Sequence, residues 1–212
     1  MTNAPSYRDL AHAFLEGCVD PSGTPDIAAI FHKVRNLRYA SRGQRDPHSV
    51  LQRGEGSCSG KHLLLRDLLR LVGEEAEVEI AEGDFAAGVP AHPTMTGQLA
   101  SFTRAAGVRD FHQYVVWHST DGEVRLDATW PDSVARLGLA TNAGWTVGTE
   151  TALALEPVKL HGRPVNLIEK KQALLENLSP AERAKRLEFL ALLTEWLDAQ
   201  IGEDNSYERR TG

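Results

Sequence analysis

The segment GEGSCSGKHLLLRDLLRLVG, residues 54–73, combines a glycine-rich turn, one cysteine and a strongly helical run. The run carries leucines at helical spacing, which are Leu64, Leu65, Leu68 and Leu69. Gly73 is a typical helix end. The pattern therefore predicts a helix that begins at Cys58 and buries its leucine face. A thiol at that position faces the positive end of the helix dipole and backbone N–H groups outside the helical ladder, and both favour the thiolate.

Two roles are open for Cys58 on these residues alone. A lone cysteine is commonly a small buried apolar side chain. The alternative is a nucleophile, because Gly54, Gly56 and Gly60 leave room for a substrate beside the backbone. The N–H groups of such a turn also suit a developing oxyanion.

Composition narrows the class of protein. The chain has 212 residues, 42% hydrophobic and 25% charged, which is typical of a soluble globular protein with one core. Its net charge of -6 argues against nucleic acid or an anionic membrane as the main partner, and no segment is long and apolar enough to cross a bilayer. Two cysteines form no disulfide framework, and the first residues lack the pattern of a signal peptide. We therefore expect a cytoplasmic protein, and its oligomeric state stays open.

Capping signals and periodicity predict one domain over residues 1–212, with a core at about 24–165, C-terminal helices at 166–201 and a disordered tail at 202–212. Helix starts are predicted at Ser6, at Thr24 followed by proline, and at Ser179, whereas residues 41–49 are predicted as loop. The last helix carries an apolar stripe at Leu187, Leu190, Leu197 and Ile201. The irregular stretch 83–110, with a short helix inside it, suits either a lid or a plain surface insertion.

Two strand patterns precede and follow that stretch. Residues 75–82 alternate, with Ala76, Val78 and Ile80 inward and the glutamates toward water. Residues 111–130, FHQYVVWHSTDGEVRLDATW, predict a hairpin that turns at 119–122. In that register Asp127 lies opposite Tyr114 and diagonal to His112 on the same face, within reach of its side chain. His118 shares this face and competes for the role of a base.

The order of these parts resembles the transglutaminase-like superfamily. VLQRGEGSCSGKHLLLRDLLRLVGEEAEV is similar to its nucleophile segment, FHQYVVWHSTDGEVRLDATWP to its histidine and aspartate segment, and IFHKVRNLRYA to the preceding helix. The resemblance covers about residues 27–131. It implies a papain-like α+β fold with the cysteine on a central helix against an antiparallel sheet, followed here by a C-terminal helical extension. It also implies Cys58 as nucleophile, His112 as general base and then acid, and Asp127 as the orienting carboxylate.

The chain departs from the family pattern after the histidine. Members often have a small residue and then tryptophan, whereas this chain has Gln113 and Tyr114, which puts substrate contacts inferred from that position in doubt. No acidic cluster has the spacing of a calcium loop.

Other candidate residues surround the cysteine. Gln52 precedes it by six residues, a spacing similar to the oxyanion glutamine of papain-like proteases, although a polar loop residue is an equal alternative. Ser57 is a further candidate for substrate or oxyanion binding, and Trp130 and Trp117 suit either an acyl channel or the core. A metal site formed by histidines at 92, 112 and 118 is a weaker alternative, because neither HExxH nor CxxC spacing is present. We expect no cofactor and no metal.

The resemblance implies acyl transfer at an amide or ester through a thioester. We expect hydrolysis of a peptide or amide bond in a small substrate. The first alternative is an amide-forming acyltransferase or cyclase that uses an amine acceptor. The second is a binding module on the same fold whose chemistry is lost.

Overall fold

The computed structural model describes residues 4–43 and 45–211, with side chains described as far as residue 201. Helices and strands are interspersed along the chain. The helices are α1 Tyr7–Leu15, α2 Ile27–Arg35, α3 Pro47–Arg53, α4 Cys58–Leu71, α5 Gly97–Ala105, α6 Leu167–Glu176 and α7 Pro180–Thr211, with a 3-10 helix at Asp132–Leu137. The strands are β1 Arg38–Tyr39, β2 Glu55–Gly56, β3 Glu75–Asp84, β4 Arg109–Ser119, β5 Gly122–Leu126 and β6 Pro157–Leu160.

The main sheet is antiparallel and has the strand order β5-β4-β3-β6. In the hairpin of β4 and β5, His118 pairs with Glu123 and Ser119 with Gly122. The predicted register and the turn at 119–122 are therefore confirmed. Because Val115 pairs with Leu126, the next position places Asp127 opposite Tyr114.

Helix α4 packs on β3 and β4, with the side chains of its leucine face fully buried. This side of the sheet forms one core with α1 and α2, and the other side packs against α5 and α7. The predicted α+β fold, with the cysteine-bearing helix on an antiparallel sheet and helices after it, is confirmed. The packing of α4 on the sheet holds the start of α4 beside the start of β4.

Several helix boundaries differ from the prediction. Helix α2 begins at Ile27, not at Pro25, because the carboxylate of Asp26 accepts the N–H of Ala29 and so caps the helix. The predicted loop at 41–49 contains the start of α3, where Asp46 is the cap and Pro47 takes the first position. The helix starts predicted at Ser6 and Ser179 are confirmed, and each has a capping box.

Two predictions of burial are wrong. Glu79 on β3 is buried, not in water, because Arg163 covers it and donates to its carboxylate at 3.1 Å. Leu187 was expected in the buried stripe of α7 but is exposed, while Leu190 and Leu197 are buried. The single-domain boundaries stay a prediction. The disorder expected for 202–212 falls on residues whose side chains, and for residue 212 also the backbone, lie outside the described part.

Cys18 and Cys58 are both free and buried. None of the described helices combines the length and apolar character that a bilayer span requires.

Candidate active site

Cys58 occupies the first position of α4 and is 5% exposed. Ser57 is the N-cap, and its side chain makes no capping hydrogen bond. The first bond of the helical ladder runs from the Lys61 N–H to the Ser57 carbonyl at 3.0 Å. The N–H groups of residues 58–60 therefore lie outside the ladder, at the positive end of the helix dipole and beside the thiol.

The glycines around Cys58 serve packing more than substrate access. A methyl group added at Gly60 would meet the side chain of Val50 at 2.7 Å, and one at Gly56 would meet it at 2.8 Å. Gly54 ends α3 in the left-handed region, with φ of +66°. These glycines let α3 approach the start of α4, so the expectation of open space beside the backbone is wrong at 56 and 60.

His112 and Asp127 are brought together by the hairpin. His112 Nε2 lies 2.7 Å from Asp127 Oδ2, and both side chains are fully buried. Since a carboxylate only accepts hydrogen bonds, Nε2 carries the proton. The other ring nitrogen, Nδ1, makes no hydrogen bond of regular geometry within the described residues, although the ring interacts with the Cys58 side chain.

Asp127 is held by donors from two further places in the chain. Its Oδ1 accepts the N–H and the hydroxyl of Thr129 at 2.9 and 2.5 Å, and its Oδ2 accepts the N–H of Ala154 at 2.7 Å. Burial raises its pKa, but the charge and the hydrogen bond of His112 outweigh burial and hold the pKa well below the ordinary range. The carboxylate is therefore ionised and fixed in orientation.

His62 is a buried neighbour that the sequence patterns did not indicate. Its Nε2 accepts the N–H of Ala128 at 2.8 Å, so this nitrogen carries no proton. The separation of 3.4 Å between Nε2 and Asp127 Oδ1 thus joins two acceptors and is no ion pair. Burial lowers the pKa of His62, in agreement with a neutral ring. It supports the segment after Asp127.

A polar cluster of Gln113, Ser59 and Lys171 lies on the other side of Cys58. Lys171 Nζ donates to Ser59 Oγ and to Gln113 Oε1, both at 3.0 Å, and lies 3.9 Å from Cys58 Sγ. Ser59 also donates to Gln113 Oε1, and Gln113 Nε2 donates to the Phe111 carbonyl at 3.0 Å. The amide of Gln113 therefore turns its oxygen, not its nitrogen, toward the thiol.

The charges of these neighbours determine the ionisation of the thiol. Burial raises the pKa of Cys58, but the ammonium of Lys171 and the ring of His112 outweigh it and lower the pKa to about 6. Burial likewise lowers the pKa of His112, and the charge and hydrogen bond of Asp127, together with Cys58, raise it to about 10. Because the two groups are coupled, these values belong to the pair. A thiolate beside an imidazolium is the stable form between them.

A cavity of about 120 Å³ opens onto Cys58. Its walls come from the start of α4, Asp110, α6 and α7, together with Tyr39, Ser41, Gly43 and Arg45. Within the described residues, Asp110 is the sole contribution of the stretch 83–110 to this lining. Most of that stretch instead packs on the sheet, since Phe85, Val89 and Leu99 are buried in the second core.

The remaining predicted residues lie in different surroundings. Gln52 is exposed on α3, where its amide contacts His48 Nε2 at 3.1 Å, and the structure does not bring it into the cavity. Ser57 does line the cavity. Trp130 is buried in the second core, between the rings of Tyr39 and Phe85. Trp117 donates to Glu74 at 2.7 Å in the first core.

The histidines considered for a metal do not gather. His92 contacts Thr94, and His118 contacts Glu77 at 3.2 Å near the end of the hairpin. The grouped metal-ligating atoms are instead those of His62, His112 and Asp127, within 4.8 Å of one another. The Nε2 atoms of the two rings are engaged in hydrogen bonds to the Asp127 carboxylate and to the Ala128 N–H, so these contacts join the cluster as a hydrogen-bonded unit, while both Nδ1 atoms have no regular hydrogen bond among the described residues.

No family model and no curated protein sequence matches the chain. Among solved structures, the chain is similar to one described as a crystal structure of a TGase, with 16% identity and a TM-score of 0.40. The match covers 60% of this chain and 32% of that one, so the chain spans about a third of that protein's length.

Proposed function

We propose that this protein is a cysteine-dependent acyl-transfer enzyme of the transglutaminase-like type, with Cys58 as nucleophile, His112 as general base and acid, and Asp127 as the orienting carboxylate. The observation that carries the proposal is the buried series of thiol, imidazole and carboxylate at the start of α4. Asp127 lies 2.7 Å from one nitrogen of His112, and the pKa of Cys58 is lowered to about 6. A nucleophile, a base and a group that orients the base are the parts this chemistry requires.

The reaction proceeds in two steps. The Cys58 thiolate attacks the carbonyl carbon of an amide or ester, a C–S bond forms, and the C–N or C–O bond breaks as His112 donates its proton to the leaving group. Neutral His112 then takes a proton from water or an amine, which attacks the thioester and releases the thiol. Asp127 keeps the proton of the ring on Nε2 and stabilises the imidazolium.

The N–H groups of the first turn of α4 are the proposed donors to the oxyanion, with that of Cys58 as the first. Gln113 is unsuited to this role, because its oxygen accepts from Ser59 and Lys171. Ser57, which lines the cavity, is a proposed substrate contact. The exposed position of Gln52 and the packing of Trp130 in the core give neither residue a part in this scheme.

Hydrolysis of an amide bond in a small substrate is the favoured reaction. The cavity of about 120 Å³ is smaller than the roughly 300–1,000 Å³ of a site for a drug-sized ligand, so it suits a short acyl group. An amine acceptor in place of water gives the alternative of amide formation. A catalytically inactive binding module is the competing proposal from another class.

The test is intact-mass trapping of an acyl adduct with a panel of small amides and esters. We expect an adduct on the wild type and on Cys18→Ala, which removes the other buried thiol, and none on Cys58→Ala. Turnover should likewise be abolished in Cys58→Ala and nearly unchanged in Cys18→Ala. Adducts that persist in folded Cys58→Ala would contradict the assignment of the nucleophile. A Cys58 that forms no adduct and alkylates like an ordinary thiol would favour the binding module.

A further inference from the structure

The cavity over Cys58 is cationic in a chain of net charge -6. Its lining contains Arg45, Lys171 and Arg186 against one carboxylate, Asp110. Arg186 Nε lies 2.6 Å from Asp110 Oδ1, and both side chains are buried, so these two charges neutralise each other. The positive charges of Arg45 and Lys171 remain without a carboxylate at ion-pair distance among the described residues.

Lys171 is a buried ammonium that lies 3.9 Å from the Cys58 sulfur, and the Asp110 carboxylate acts on it from a greater distance. It is 2% exposed, and no carboxylate of the described residues lies within ion-pair distance of its Nζ. A buried charge is costly unless it is paired. The Cys58 thiolate supplies the negative charge before reaction, but a thioester is neutral. An acylated enzyme therefore leaves Lys171 without a counterion unless the acyl group brings one.

Arg45 is half-buried at the mouth of the same cavity. Its guanidinium donates to the amide of Gln172 at 3.3 Å, and among the described residues it has no carboxylate partner. Its neighbours in sequence differ, because Arg38 and Arg42 each contact both Glu55 and Asp198. Arg45 thus lines the cavity without a carboxylate at ion-pair distance among the described residues. A guanidinium binds a carboxylate through two parallel hydrogen bonds.

We infer that the acyl group accepted by this site carries a carboxylate, which Arg45 and Lys171 bind while the reacting carbonyl meets Cys58. The inference rests on the proposed function and adds the substrate class: a half-amide or half-ester of a short dicarboxylic acid. The small volume of the cavity limits the chain between the two carbonyls. The apolar wall formed by Leu190 and Ala191 suits the methylene groups of that chain. The C–N or C–O bond of the uncharged end breaks, and the carboxylate stays bound.

The experiment compares two reagents that differ in charge and alkylate the same atom. Iodoacetate carries the carboxylate, and iodoacetamide is its neutral counterpart. In a Cys18→Ala background, the ratio of the two rate constants at Cys58 should exceed the ratio for a free thiol such as N-acetylcysteine. Arg45→Gln should lower the ratio by about threefold or more, the size expected for one charge close to the reacting atom in a partly exposed site. Added salt should reduce the wild-type ratio.

Arg53→Gln is the matched control. It removes the same charge from exposed α3, outside the lining of this cavity, and should leave the ratio unchanged. A second readout uses no variant: succinate should protect Cys58 from iodoacetamide, and succinamide, which has the same shape without charge, should protect it much less.

The outcomes separate this inference from the proposed function. Suppose that Cys58 alkylates with a low pKa, that the ratio of rate constants is the same in wild type and Arg45→Gln, and that succinate gives no protection. The proposed substrate class is then wrong, while the assignment of Cys58 as nucleophile is retained. If Cys58 resists both reagents, or reacts like an ordinary thiol, the proposed function is contradicted, and so is the inference that rests on it. Equal protection by succinate and succinamide would also contradict recognition of a carboxylate.

Discussion

Two buried lysines lie near the start of α4, and their partners differ. Lys61 Nζ donates to the carbonyls of Arg35, Leu37 and Thr129, each at 2.8 Å. Lys171 Nζ faces the hydroxyl of Ser59, the amide oxygen of Gln113 and the thiol. Burial lowers the pKa of both, that of Lys61 well below its usual range. Three carbonyl acceptors nevertheless require three N–H donors, which the ammonium has and the neutral amine lacks.

The comparison shows that burial alone does not give a cation a role in chemistry. Lys61 directs every proton at backbone oxygen, and so it joins the end of α2 to the segment after Asp127. Lys171 has two neutral side-chain acceptors and a thiol, so its charge is available to whatever anion occupies the site. One region of the molecule is therefore a structural support, and the other is the proposed active site. The predictions below test this division.

We predict the effects of four variants, and that of His112→Ala should be the largest. We expect turnover to fall by about a thousandfold, because the thiol loses its base and the leaving group its acid. His118→Ala is the control, since that ring contacts Glu77 near the hairpin end and should change turnover little. Steady-state rates of both folded variants decide the question. A greater loss of turnover in His118→Ala than in His112→Ala would show that His118 is the base.

Lys61→Met should lower the stability of the protein while it leaves the lining of the cavity over Cys58 unchanged. Two buried carbonyls and one partly buried carbonyl lose their donor, and we expect a loss of about 3 kcal/mol or more in the free energy of unfolding. Denaturant unfolding measures it. A stability equal to wild type would show that Lys61 is no support.

Asp127→Asn should reduce turnover by about a hundredfold or less and raise the pKa of Cys58. The substitution removes the negative charge that stabilises the imidazolium. In the wild type, N–H and O–H donors point at both oxygens of the carboxylate, so the NH₂ group of asparagine would face a donor instead of an acceptor. Some stability should be lost as well. The rate of iodoacetamide alkylation against pH is the measurement. A profile identical to wild type would reduce Asp127 to a structural role and the site to a cysteine–histidine pair.

Lys171→Met should have the smallest effect on the fold and a selective effect on the thiol. Lys171 is the strongest of the neighbours that lower the pKa of Cys58, so the alkylation profile should move to higher pH. Lys170→Met, at the exposed neighbouring position, should leave the profile in place. If both variants alkylate like wild type, the contrast between Lys61 and Lys171 has no chemical meaning.

The sequence predicted the parts of the site that local patterns determine. Helix α4 follows from leucine spacing, and the position of Asp127 diagonal to His112 follows from the parity of a two-residue turn. Lys171 and His62 were missed because their contacts with Cys58 and Asp127 depend on tertiary packing, which no local period encodes. Gln52 shows a different limit: a six-residue spacing does not determine where a side chain lies, and α3 with its left-handed end at Gly54 leaves this side chain in solvent.

The pH dependence of Cys58 alkylation tests the central claim most directly. In the Cys18→Ala protein, the rate with iodoacetamide should rise as pH increases through about 6, because the thiol ionises there beside His112 and Lys171. A free thiol ionises near pH 8.5, and one that is merely buried ionises higher still. A single rise near or above pH 8.5 in the folded protein would contradict the account.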